Sequence, residues 1–141
     1  MSECIFHDAP DNRKDSLIFE ITEQAYRAKN KVVIYVPNAE RADTLDRLLW
    51  ILRQESFIPH RIFKSGETDE GTPVGITVAE ENHVGAQILI ADGHCRLDYA
   101  LGFDAVHEFV IHESSQTLEA CRDRFREYRT RQIPIHHIKE S

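Results

Sequence analysis

The chain has 141 residues, 41% of them apolar and 29% charged, with a formal net charge of -7. That length and balance suit one domain, residues 1–141, with a proper core, and no apolar run reaches membrane-spanning length. The acidic balance excludes the overall basic field with which duplex-DNA binders neutralise phosphate, leaving direct nucleic-acid contact only to a local patch.

Residues 4–9, CIFHDA, form a short strand candidate. Residues 13–30 repeat Leu17, Ile18, Ile21, Ala25 and Ala28 at helical spacing. KVVIYV (31–36) is a continuous apolar run, the pattern of a strand buried on both faces. A helix follows over 37–54, with Asn38 as its cap. The stretch 60–73, HRIFKSGETDEGTP, reads as an irregular connection. Strands are expected at 74–79, 86–92 and 107–112, with an irregular segment over 92–104 that includes a helical turn at 97–101. A helix over 114–132, capped by Ser114 or Ser115, precedes a terminal strand at 133–138. Strands alternating with helices predict an α/β fold. The expected form is a three-layer α/β/α sandwich with a largely parallel, mixed central sheet, Rossmann-like without a phosphate loop.

The usual chemical signatures are absent. Neither a Walker loop nor G-x-G-x-x-G occurs, and the turn after 31–36 reads PNAE, without glycine. There is no G-x-S-x-G elbow. Cys4, Cys95 and Cys121 show no C-x-x-C spacing and read as free, buried thiols. The eight histidines are scattered without metal-ligand spacing, so neither a metal nor a cofactor is expected. Asp92-Gly93-His94, after a buried strand, is the best remaining catalytic candidate and carries the alternative reading of a small nucleotide-binding or hydrolase-like domain, but without a nucleophile or oxyanion motif a solvated turn is the favoured reading. The first residues lack a basic segment followed by an apolar one, which predicts a cytoplasmic protein.

Two helices carry binding candidates. In helix 37–54, Leu45, Leu48, Leu49 and Leu52 fall within roughly 100° of arc, a core stripe. Trp50, the sole tryptophan, lies about 150° away. It either covers the 55–63 segment folding back or faces a partner together with Phe57, Ile58 and Pro59. In helix 114–132, Arg122, Phe125, Arg126 and Arg129 share a face beside a stripe of Leu118, Cys121, Phe125 and Tyr128. Guanidinium forks beside aromatics suit an acidic peptide ending in a hydrophobic residue and a free carboxylate; a solvated amphipathic face is the plain alternative.

Residues 31–78, above all LDRLLW…ESFIPH, together with DRFREYR (123–129), resemble the chi subunit of bacterial DNA polymerase III holoenzyme. The resemblance covers nearly the whole chain. It implies an α/β/α accessory subunit of the clamp-loader assembly, with no catalytic site of its own and a polymerase label only through the holoenzyme. It also implies a cytoplasmic place at bacterial replication forks, with DNA contact mostly indirect and no membrane. The implied partners are the acidic C-terminal tail of single-stranded DNA-binding protein and a psi subunit. The family's psi-facing Trp and Phe fall on Trp50 and Phe57, and its tail-binding residues on Arg122, Phe125 and Arg126, with Tyr128 and Arg129 as neighbours. Leu118 stands where many members have Lys, and Phe125 where they have Tyr.

Overall fold

A computed structural model describes residues 2–51 and 57–140. Its elements, in chain order, are β1 (Glu3–Asp8), a 3-10 turn (Asp11–Arg13), α1 (Lys14–Arg27), β2 (Val32–Tyr35), α2 (Ala39–Ile51), β3 (His60–Phe63), β4 (Val74–Thr77), β5 (Ile88–Ala91), α3 (Leu97–Ala100), β6 (Ala105–Val110), α4 (Ser115–Thr130) and β7 (Ile135–Lys139). The strands make a seven-stranded sheet in the order β3-β4-β2-β5-β6-β1-β7. Every ladder is parallel, so the sheet expected to be mixed has no antiparallel member among the described residues.

The pleat distributes the apolar run of β2 to both faces. Val32, Ile34 and Val36 join Leu17, Ile18, Leu45 and Leu49 under α1 and α2. Val33 packs on the other face with Leu89, Ala100 and Phe103. Further along that face, Cys4 and Phe6 of β1 meet Tyr128 of α4. These are the three expected layers. Asn38 Oδ1 accepts the Arg41 N–H at 2.9 Å and caps α2. Ser114 caps α4 in a reciprocal box with Thr117.

One expected loop contains a strand. Residues 60–63 pair with β4, His60 opposite Val74 and Phe63 opposite Thr77. Only Phe63 is buried in this edge strand, so it shows no apolar alternation. At Gly75 a Cβ would sit 3.1 Å from the Phe63 ring, a closer approach than ordinary contact. The three cysteines are free and buried, as expected. Among the described residues, no helix is long and apolar enough to cross a membrane.

Candidate functional site

A groove of about 670 Å³ runs between α4 and the β6-β1-β7 side of the sheet. Phe6, Val110, Leu118, Cys121 and Phe125 make its apolar lining, while Arg122, Arg126 and Arg129 bring guanidiniums to it. Phe6 and Phe125 sit 5.4 Å apart, centroid to centroid, in a tilted pair. The predicted face of the last helix is therefore assembled as one surface, with one exception. Tyr128, expected beside the groove, is fully buried, and its hydroxyl donates to Glu108 Oε2 at 2.7 Å. It supports the groove from beneath, because the helix face bearing it packs directly on β1 and β6.

The arginines are held loosely. Arg126 pairs with Asp123 at 2.8 Å and with Glu119 at 3.5 Å, and Arg122 pairs with Glu119 at 3.5 Å. Arg129 has no carboxylate partner among the described residues. Exposed pairs of this kind contribute about 0–1 kcal/mol, so an incoming carboxylate can replace them at little cost. The groove also contains residues that the sequence reading did not single out: Asp8 from β1, His112 after β6 and His137 from β7. Alternation along β1 puts Phe6 and Asp8 on one face, but their meeting with the histidines depends on the β6-β1-β7 order.

A second site lies at the end of α2. Trp50 is 56% exposed and Phe57 50%, with ring centroids 4.8 Å apart. The His60 ring meets Trp50 edgewise at 5.2 Å. His60 Nδ1 donates to the Ile58 carbonyl at 2.7 Å, and its Nε2 lies 3.0 Å from Asp46 Oδ1. The returning chain thus props Trp50 from one side and leaves its other side open. Pro59 is half-buried. Ile58 corrects the predicted patch: at 1% exposure it belongs to the core with Leu45 and Leu49. Its chain neighbour Phe57 is by contrast 50% exposed. Leu52 lies outside the described residues.

The Asp92 and His94 side chains have different surroundings. Arg41 Nε and Nη2 grip the Asp92 carboxylate at 2.8 Å each. Lys14 Nζ lies 3.0 Å from it, and the side chain is 1% exposed. Burial disfavours its charge, but the Arg41 hydrogen bonds and the Lys14 charge outweigh burial and hold the carboxyl below the ordinary aspartate range. His94 lines a different depression, with Glu80, Arg96 and Arg131. The Arg41–Asp92 fork sits just beyond the ends of β2 and β5, on the side where open parallel sheets take ligands.

The family described as DNA polymerase III chi subunit, HolC, matches residues 1–136. The chain is 31% identical to DNA polymerase III subunit chi of Escherichia coli (strain K12) over 116 residues, 82% of this chain and 78% of that one. It is 30% identical to subunit chi of Pseudomonas aeruginosa over 115 residues, with the same shares covered. Among solved structures, the C-terminal domain of the DEAD-box protein Dbp5 superposes with a TM-score of 0.64 at 12% identity, covering 98% of this chain and 90% of that one. A variant of the same domain from S. cerevisiae, bound to Gle1, gives 0.61 at 9% identity, covering 99% and 90%. At such identities the likeness concerns the fold alone. Family match and relatives agree over most of the length: this chain belongs to the DNA polymerase III chi subunit family and is a replication accessory subunit.

Proposed function

We propose that the protein is a non-catalytic adaptor that holds the acidic C-terminal tail of single-stranded DNA-binding protein in the α4 groove and a psi-type subunit on the Trp50/Phe57 patch. The observation that carries the tail reading is the convergence of Arg122, Arg126 and Arg129 on an apolar lining of Phe6, Leu118 and Phe125. A hydrophobic terminal side chain fits the lining, and its carboxylate and neighbouring acids fit the arginines. Leu118 and Phe125 shift the balance toward apolar contact. The exposed Trp50–Phe57 pair, beside half-buried Pro59, has the aromatic character of an interface anchor. Two modest affinities joined in one molecule raise the local concentration of each partner, which is all a tether requires.

Fluorescence anisotropy with a labelled peptide copying the cognate acidic, phenylalanine-terminated tail tests this reading. Saturable binding that weakens with salt and is lost when the terminal carboxylate is amidated is expected. Equal binding of the amidated peptide, or none at low salt, would remove the groove from this role.

A further inference from the structure

Resting on that groove reading, we infer that Asp8 is the residue that limits the groove's affinity for an anionic peptide, and that His112 and His137 relieve the limit when they take up protons. Asp8 ends β1 and lines the same groove as Arg122, Arg126 and Arg129. A carboxylate facing the path of another carboxylate is a built-in repulsion. Both of its oxygens are engaged by imidazoles: Oδ1 lies 2.7 Å from His112 Nε2, and Oδ2 lies 3.5 Å from His137 Nε2. A neutral imidazole can donate an N–H to Asp8 but leaves its charge in place, whereas an imidazolium cancels it.

The two histidine side chains are 42% and 49% exposed, so protons reach them freely. They come from separate elements, and only the parallel β6-β1-β7 order sets them on one carboxylate. The other charged groups nearby do not offset the effect. On α4, Arg122, Arg126 and Arg129 stay charged throughout, and burial pushes the Cys121 thiol up. Lys139 and Glu140 flank Asp8 and His112 in the adjoining depression, and the Glu140 carboxylate lies 3.0 Å from His7. Asp11 Oδ1 accepts the His112 backbone N–H at 2.9 Å. His107, in β6, is held by burial and by His7 down to about 4. The carboxyls of an acidic peptide also titrate lower, at about pH 4. Uptake of protons on binding makes affinity rise as pH falls through the imidazole range, the sign expected when the bound state holds more protons.

The test is anisotropy with the labelled acidic, carboxylate-terminated peptide at about pH 8 and about pH 6, for the full chain and two variants. The unaltered protein is expected to bind about tenfold tighter at the lower pH. Asp8→Asn is expected to bind at the higher pH about as tightly as the unaltered protein does at the lower, with a residual pH effect under about twofold. The double variant His112→Gln, His137→Gln is expected to lose the pH effect while keeping the weaker, high-pH affinity; it decides the matter if Asp8→Asn folds poorly. A flat profile for the unaltered protein, or an unchanged slope in Asp8→Asn, overturns the inference and leaves the groove reading standing. Absence of binding at both pH values sinks both.

Discussion

Arg124 donates from Nε to Glu108 Oε2 at 2.9 Å inside the protein, with side chains 6% and 1% exposed, while its neighbours Arg122 and Arg126 on the same helix are 66% and 64% exposed. Burial opposes the charge on Arg124, and the adjacent Glu108 carboxylate overrides that cost, holding its pKa up. The same Glu108 oxygen accepts the Tyr128 hydroxyl, so α4 is bolted to β6 from its inner face while its outer face stays free for ligand. Removing one member leaves the other charge buried and unpaired. Arg124→Ala is therefore expected to cost about 3–5 kcal/mol in urea unfolding. Arg122→Ala should cost under about 0.5 kcal/mol. Equal midpoints for the two variants would contradict this division of labour.

Arg126 should matter to the tail and not to the fold. Its exposed pair with Asp123 contributes little stability, so Arg126→Ala is expected to keep the urea midpoint within about 0.5 kcal/mol. The same change should weaken binding of the acidic peptide about five- to twentyfold, as loss of a charge-assisted contact. Anisotropy at low salt measures it. Asp123→Asn, which removes the nearer of the two carboxylates beside this guanidinium, should move affinity the other way.

Trp50 reports on its own patch, because it is the sole tryptophan and is 56% exposed. Its emission should be that of a largely hydrated indole, shift to the blue when a psi-type partner covers it, and stay put when the acidic peptide fills the groove. Trp50→Ala should abolish partner binding at unchanged peptide affinity. A blue shift produced by the peptide would mean that the two sites are not separate.

Phe57 and Ile58 are neighbours with opposite duties. Ile58→Ala empties a buried site and is expected to cost about 2–4 kcal/mol. Phe57→Ala should cost under about 1 kcal/mol, with its effect showing in partner affinity. Thermal or urea unfolding of the pair decides which of them belongs to the core.

The protein should also lose stability in mild acid through His107. Burial, then His7, lowers its pKa from 6.5 to about 4 in the folded chain. Between those values the unfolded chain binds a proton that the folded one refuses, so stability rises with pH across this window and falls as pH drops through it. The loss should approach about 2 kcal/mol near pH 4, short of the full shift because the residue is partly exposed. His107→Asn should flatten the slope of urea stability against pH between about 6.5 and 4.5. The lowered carboxyl of Asp92 has the opposite origin: its contribution is present above the ordinary aspartate value and disappears only as pH falls below it, outside this window.

Much of this architecture was legible in the residues because local pattern carries it. Continuous apolar runs marked β2 and β5, helical spacing marked α1, α2 and α4, and the wheel turned Trp50 away from the leucine stripe. Each of those features depends on periods set within one element. β3 was missed because its stability comes from pairing with β4 and from a single buried ring, neither of which leaves a periodic trace in four residues.

The sequence by itself determined the alternation of elements, the turning of Trp50 away from the leucine stripe and the helix that concentrates arginine beside aromatics. Only the tertiary structure decided which of those side chains reach solvent. Tyr128 and Arg124 share a helix with the groove residues yet turn inward to Glu108, and Ile58 is buried beside an exposed Phe57. It alone put Asp8 between His112 and His137, drawn from β1, the segment after β6, and β7. The reason is physical: spacing fixes direction relative to a helix or strand axis, but burial and charge partners depend on what packs against that element, and parallel pairing brings together residues about a hundred positions apart.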